Sequence, residues 1–315
     1  MGTRSSPSSA LRHAVRAGAV AAIGAAIAAP LLRRRARIPA AATIAALAGG
    51  PLGLAVLRPR SHKRDVVMYM LQMWAFTMAH ELPYDNPERL RARLRIDYPI
   101  VADRAIGLGR LPNVRLQRGL ARFRRVRTLN RFLTWAHWLW FLEPYVALTY
   151  ILIRHPDRFP RAARRLATTF DVGCAVYFAV PTAPPWWASE QGNTGEEVRR
   201  IMVEVGEETW KSAWPKMYTA LGGNPWAAMP SLHFATSAVV AMSLAETGRT
   251  AGVAGWGYSL TLGFALVYLG EHYVTDLAAG AALVAAVRGG EPFAEPAILA
   301  VNRRLQSLER LANER

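Results

Sequence analysis

Two short histidine motifs carry residue types that suit phosphoryl transfer. The first, Pro-Ser-Leu-His, ends at His233, and the second, His-Tyr-Val-Thr-Asp, runs from His272 to Asp276. One imidazole can attack phosphorus while another protonates the departing oxygen. Asp276 lies four residues after His272, so the two share a helix face, and a carboxylate on one ring nitrogen leaves the other as a nucleophile. The pattern predicts His272 as nucleophile, Asp276 as its orienting acid and His233 as general acid.

The residues before His233 indicate an anion site at a helix start. Serine is favoured at the N-cap, proline suits a first turn, and the free N–H groups of that turn attract anions. We therefore expect Ser231 to bind phosphate. A single histidine at a membrane boundary more often has a structural role, but two motifs at matching helix ends favour a site.

Apolar segments must position these motifs. Runs such as Ile38–Leu57 and Ala251–Leu269 reach the length of about 17–25 residues that spans a bilayer. We predict an all-α, polytopic membrane bundle with a six-helix catalytic core and about two further amino-terminal helices. The predicted helices are Ala14–Leu32, Ile38–Leu57, Asp65–Leu82, Phe132–Ile153, Leu166–Val180, Ser231–Glu246, Ala251–Leu269 and Tyr273–Val287.

The net charge of +17 comes almost wholly from arginine. Because these arginines cluster beside apolar segments and no nucleic-acid motif is present, we expect membrane lipids with anionic headgroups as partners, and no nucleic acid. Asn86–Arg131 alone holds thirteen arginines against three acids. We interpret it as interfacial amphipathic helices; the alternative is an arginine surface that gathers anionic lipid substrate.

The segments group into three predicted regions. Residues 1–64 form amino-terminal membrane helices and a basic loop, residues 65–290 the catalytic membrane core with segment 86–131, and residues 291–315 a polar tail. The positive-inside rule places the basic loops Arg58–Arg64 and Arg154–Arg165 in the cytoplasm. We therefore expect an integral protein of a bacterial plasma membrane whose histidines face the extracytoplasmic side.

The two histidine motifs resemble those of the type 2 phosphatidic acid phosphatase superfamily, the lipid phosphate phosphatases related to vanadium haloperoxidases. The resemblance covers roughly 132–287 and implies the same roles for His233, His272 and Asp276, with Ser231 on the phosphate. It also implies catalysis through a phosphohistidine, without cofactor or metal. The substrate class implied is a phospholipid or lipid phosphate.

Three departures from the superfamily pattern point to one branch. Leu232 replaces the usual glycine, Ala265-Leu266 stands where the family has Ser-Arg, and the lysine and Arg-Pro motif is absent. Pro-Ser-Leu-His, Ala-Pro-Pro-Trp and His-Tyr-x-x-Asp are similar to the inositol phosphorylceramide synthase branch, which moves phospho-headgroups between lipids. We expect Pro184, Pro185 and Trp186 to contact substrate. Candidates for the missing phosphate cation are Lys211, Lys216, Arg199 and Arg200.

The expected function is therefore a lipid phosphotransferase that moves a phosphoryl or phospho-headgroup unit, inositol phosphate among the options, to a lipid or alcohol acceptor. One alternative is a phosphatase acting on phosphatidate or a polyprenyl phosphate. An alternative of another class is a non-catalytic membrane protein that binds anionic lipids. For Glu271 and His137, which lie near predicted helix boundaries, we expect structural roles.

Overall fold

A computed structural model describes residues 7–216 and 224–313. In these two ranges the chain forms fourteen α-helices and two short 3-10 turns, Leu82–Asp85 and Lys211–Ala213, and no β-strand. The predicted all-α class is confirmed. By length and apolar composition, three of the described helices can cross a membrane: Ser9–Ala36, Ala40–Leu57 and Arg249–Tyr268.

Contacts divide the chain into two compact units. The first unit combines the chain up to Asp85 with the carboxyl-terminal stretch from Gly289. Its helices are α1 (Pro7–Ala36), α2 (Ala40–Leu57) and α3 (His62–Glu81). Helices α1 and α2 touch closely because Gly53 has no side chain, and a Cβ there would meet the Ala19 carbonyl oxygen at 2.5 Å.

The second unit runs from Asn86 to Arg288 and contains both histidine motifs. Its helices are α4 (Pro87–Arg91), α5 (Asp97–Ile106), α6 (Pro112–Ala121), α7 (Val126–Leu139), α8 (Glu143–Arg154), α9 (Phe159–Ala179), α10 (Pro185–Glu190), α11 (Ile201–Trp210), α12 (Leu232–Thr247) and α13 (Arg249–Tyr268). Helix α14 (Val274–Asn313) begins in this unit and continues beyond it.

One predicted segment differs from the structure, and a second has a conformation that the sequence analysis left open. The predicted crossing Phe132–Ile153 is divided between α7 and α8, because the chain turns after Leu139 and Pro144 lies in the first turn of α8, where a missing N–H costs nothing. The predicted polar tail from residue 291 is helical as far as Asn313. It belongs to the same compact unit as α1, with the Ala312 carbonyl accepting a 3.0 Å hydrogen bond from Arg16.

Small residues bring the histidine-bearing helices together. At Gly255 a Cβ would lie 2.9 Å from Ala241, so α12 and α13 meet backbone to backbone. Gly280, on α14, lies against the Ser231 carbonyl oxygen, 2.8 Å from where its Cβ would be. Such close approach of helix backbones is typical of membrane bundles. It places the start of α12 beside the start of α14.

Candidate active site

His272 and Asp276 form the innermost contact of the site. His272 lies two residues before α14, and Asp276 lies in the first turn of that helix. Their Nδ1 and Oδ2 atoms are 3.2 Å apart, and the Tyr273 N–H donates to the same Oδ2 at 2.9 Å. Asp276 is fully buried. This arrangement directs the His272 Nε2 atom away from the carboxylate, as a nucleophile requires.

His233 meets His272 on the side opposite Asp276. The His233 Nδ1 atom is 3.2 Å from His272 Nε2. Ser231 links the two helix starts, since its backbone N–H donates to the Asp276 carbonyl at 2.9 Å. Its hydroxyl accepts from the Phe234 N–H at 3.3 Å, so Ser231 is the N-cap of α12 as predicted. The structure thus brings His233, His272, Asp276 and Ser231 together; a phosphate contact of Ser231 stays a prediction.

Segment 86–131 supports the turn that carries His272. Buried Asn113, on α6, donates to the carbonyls of Val267 and His272 at 2.8 and 3.0 Å. Asp103, on α5, accepts from the Val274 and Thr275 N–H groups at 2.8 and 2.9 Å and so caps α14. Helices α5 and α6 therefore cover the histidine end of the unit.

Gln117 extends this support to the next loop. Its amide nitrogen donates to the carbonyls of Tyr268 and Arg199, and its carbonyl accepts from the Arg199 N–H at 3.0 Å. Sequence reasoning missed Asp103, Asn113 and Gln117. Their signal in the sequence is weak. Each is a polar residue on a face of a short helix that is otherwise formed by apolar residues such as Ile100 and Val114.

Arg200 is the candidate cation that the structure places beside the turn that carries His272. It forms a bidentate ion pair with Glu271, the residue before His272, at 2.9 and 3.0 Å. Its guanidinium also lies over the Trp186 ring, 3.7 Å from the centroid. The side chains of Arg200 and Glu271 are only 18% and 10% exposed. Planar contacts on two sides hold the guanidinium in one position.

The charge of Glu271 is set by its neighbours. Burial acts to raise the pKa of Glu271, but the charge of Arg200, its two hydrogen bonds and smaller contributions from His137 and His272 outweigh burial and leave this pKa below its ordinary value. Glu271 therefore remains ionised beside the histidines. Its ion pair with Arg200 is a structural contact, in line with the role expected from the sequence.

The end of α7 packs against His233. The His137 ring centroid lies 5.0 Å from that of His233, and the Trp140 ring centroid lies 4.2 Å from it. Trp140 also donates from Nε1 to Thr236 on α12 at 2.9 Å. His137 is buried, with 5% of its surface exposed. Two aromatic rings from one helix end therefore fix the orientation of the predicted general acid.

The other residues predicted to contact substrate or phosphate are partly buried near the turn before His272 and partly exposed. Pro184 and Pro185 are buried at the start of α10, and the Trp186 N–H donates to the Gly270 carbonyl at 3.3 Å. Lys211 and Lys216 are exposed, Lys211 at the end of α11 and Lys216 at the end of the first described range. Exposed Arg199 pairs with Glu204. Of the four candidate cations, Arg200 is the one bound to a neighbour of His272.

Comparison with known proteins agrees with the histidine motifs. A family model described as the PAP2 superfamily matches residues 102–289. These include half of α5, helices α6 to α13 and the start of α14. They also include Ser231, His233, His272, Asp276, Arg200 and Glu271. No curated protein and no solved structure matches the chain.

Proposed function

This chain belongs to the PAP2 superfamily, and on that premise we propose that it is an integral membrane lipid phosphotransferase that moves a phospho-headgroup from a phosphodiester lipid to a lipid or alcohol acceptor. Membership supports an enzyme of phosphatase or phosphotransferase type. The observation that carries the proposal is the continuous series of contacts from Asp276 through His272 to His233.

The first half of the reaction cleaves the donor. His272 Nε2 attacks phosphorus, the bond from phosphorus to the lipid oxygen breaks, and His233 gives its proton to that oxygen. The phospho-headgroup remains on His272, whose new positive charge Asp276 stabilises. In-line displacement needs the nucleophile and the leaving oxygen on opposite sides of phosphorus. The 3.2 Å contact between the two rings must therefore open when substrate binds.

The second half of the reaction uses the same groups in reverse. The acceptor hydroxyl attacks phosphorus, its proton passes to His233, and the bond between phosphorus and His272 breaks. Both histidines return to their starting states, so no metal or cofactor takes part in the proposed steps. Transfer exceeds hydrolysis when water is excluded and the acceptor enters from the lipid side.

Fixed charges support a phosphodiester donor. Arg200 is already matched by Glu271, and Asp276 adds a further negative charge next to the nucleophile. A phosphodiester carries one negative charge, whereas a terminal phosphate carries nearly two at neutral pH. The diester therefore meets less repulsion from these carboxylates. We assign Arg200 as a hydrogen-bond donor to the phosphate, with its charge already balanced by Glu271, and the positive end of the α12 dipole as the source of positive potential there.

The test separates transfer from hydrolysis. Purified enzyme receives phosphatidylinositol with a lipid alcohol in one assay, and phosphatidic acid or a polyprenyl phosphate in another, with His272→Ala as the inactive control. We expect headgroup exchange from the diester and slow phosphate release from the monoesters. Rapid phosphate release without exchange would replace the proposal with a lipid phosphate phosphatase.

A further inference from the structure

We propose that His137 is a substrate-binding residue of this site, which donates a hydrogen bond from Nδ1 to a non-bridging oxygen of the phosphoryl group. The inference rests on the proposed function and extends it, because it adds a third histidine to the pair that the motifs predict.

The position of His137 supports direct contact with substrate. Its ring lies 5.0 Å from that of His233 at an interplanar angle of 55°. It is also close enough to Glu271 to affect the pKa of that carboxyl group. His137 therefore faces the space between the general acid on α12 and the turn that carries His272. A phosphoryl group held between His233 and His272 lies beside it.

The hydrogen bonding of His137 indicates an unfilled role. In the described ranges its Nδ1 atom is buried and has no hydrogen-bond partner. Gln117, which only supports the turn, is different, since its amide nitrogen donates to two backbone carbonyls and its amide oxygen accepts from the Arg199 N–H. Burying a polar nitrogen without a partner is costly, so such groups in folded proteins call for a functional explanation.

Phosphoryl transfer gives this nitrogen a partner. In the transition state, negative charge spreads over the non-bridging oxygens, and preorganised donors that face them stabilise it. His137 is held ready for this role, because the end of α7 is fixed against α12 through the bond from Trp140 to Thr236. Its Nδ1–H contributes a donor from the end of α7, beside the His233 ring.

Two substitutions distinguish the ring nitrogens. In His137→Asn, the side-chain amide nitrogen takes approximately the place of Nδ1, whereas in His137→Gln it takes approximately that of Nε2. His137→Leu removes both donors. His155→Leu, at the end of α8, is the matched control, since its ring contacts Tyr150 rather than the site. All four variants are compared for headgroup exchange and for thermal unfolding in detergent.

We expect His137→Leu and His137→Gln to lose about a hundredfold in kcat, the scale of one lost oxyanion donor. We expect His137→Asn and His155→Leu to keep a kcat within about tenfold of the wild-type value. A loss of about a hundredfold can be distinguished from that range. Equal losses in the Asn, Gln and Leu variants, with lower melting temperatures, would show a packing role and overturn the inference. Wild-type activity in His137→Leu would also overturn it.

Binding of orthovanadate, a phosphoryl analogue, provides a readout that does not depend on the native substrate. We expect His137→Leu to weaken vanadate affinity and His137→Asn to preserve it. If the wild type shows exchange that needs His272 but vanadate affinity is the same in His137→Leu, only this inference fails. If no exchange occurs in the wild type yet vanadate affinity still depends on residue 137, the proposed function fails and the binding role stands.

Discussion

The Oδ2 atom of Asp276 makes two contacts that determine the chemistry of His272. It contacts both His272 Nδ1 and the Tyr273 N–H, so the same atom selects the tautomer and fixes the turn. An asparagine at this position has no negative charge to stabilise a cation on His272. With its amide nitrogen in place of Oδ2, it would also oppose the Tyr273 N–H and make Nδ1 of His272 the acceptor.

Asp276→Asn should therefore lose up to about ten-thousandfold in kcat while the protein still folds, because the wrong nitrogen of His272 would carry the proton. The measurement is headgroup exchange by purified protein, with thermal unfolding recorded in parallel. Asp97→Asn is the control, since Asp97 is an exposed residue at the start of α5. Undiminished turnover in Asp276→Asn would remove the tautomer argument.

The Arg200–Glu271 pair should make stability depend on pH. Because the pKa of Glu271 is lowered in the folded state, its contribution is complete above the unfolded pKa of about 4.3 and is lost as pH falls through the folded value. Near pH 7 the free energy of unfolding of the wild type should exceed that of Glu271→Gln by about 3 kcal/mol. Its melting temperature should be correspondingly higher. The difference should shrink below about pH 4. A difference that stays constant with pH would show that the charge of Glu271 does not matter.

Among the structural elements, the adjacent starts of α12 and α14 determine how the two histidines are placed. His272 and His233 belong to different helix starts, and the distance between their rings depends on how closely the two backbones approach. Gly280 allows that approach against the Ser231 carbonyl. Gly257 also lies in a membrane helix, α13, but has nothing within 4 Å of a Cβ position.

Gly280→Ala should separate the two helix starts by a few tenths of an ångström or more and reduce exchange by about a hundredfold, since small displacements at a reacting centre have effects of that size. Gly257→Ala should leave activity unchanged. Kinetics and melting temperatures of the two purified variants are compared directly. If both substitutions have the same effect, close approach at Gly280 does not set the geometry of the site.

These elements also show what sequence can predict. The apolar runs of α12 and α13 predict those helices within a few residues, because each run is apolar along its whole length and is bounded by polar or charged residues. The break between α7 and α8 is hidden, since its residues Trp140 to Leu142 are as apolar as the helices around them. Asn113 and Gln117 donate to backbone carbonyls far along the chain. Such contacts produce no periodic pattern in the sequence.

The residues of the site also divide into those that the sequence reveals and those that only the fold reveals. His233, His272, Asp276 and Ser231 are found by motif, because their roles need fixed residue types at fixed spacing. Arg200 could not be separated from three other cations until its pairing with Glu271 was known. His137 belongs to no motif, so its place beside His233 comes only from the fold.

For the whole molecule, the important question is which side of the membrane the site faces. Helices α5 and α6 bind the turn that carries His272, so the arginine-rich segment 86–131 and the histidines lie at the same end of their unit. The predicted basic loop Arg154–Arg165 is in the structure a short connection between α8 and α9 and the first turns of α9. It and the α12–α13 turn contain the cations expected in the cytoplasm. We propose that the histidines face the extracytoplasmic side, because the rule weakens for long segments such as 86–131.

A cysteine at Asn193 should test this orientation. Asn193 is exposed and follows α10, near the site, whereas the native Cys174 is buried and is replaced by alanine. A membrane-impermeant thiol reagent should label Asn193→Cys in intact cells. The matched control is Asp157→Cys, an exposed position in the opposite loop, which should be labelled only after permeabilisation. The reverse pattern would place the active site in the cytoplasm.

The central claim is that His272 bonds covalently to phosphorus. The most direct measurement is to mix purified enzyme with phosphatidylinositol without acceptor, quench it at alkaline pH and locate the added mass by peptide mass spectrometry. We predict inositol phosphate on the peptide that contains His272, its loss when a lipid alcohol is added before the quench, and none in His272→Ala. Exchange that proceeds with no adduct, or with the adduct on His233, would contradict the account.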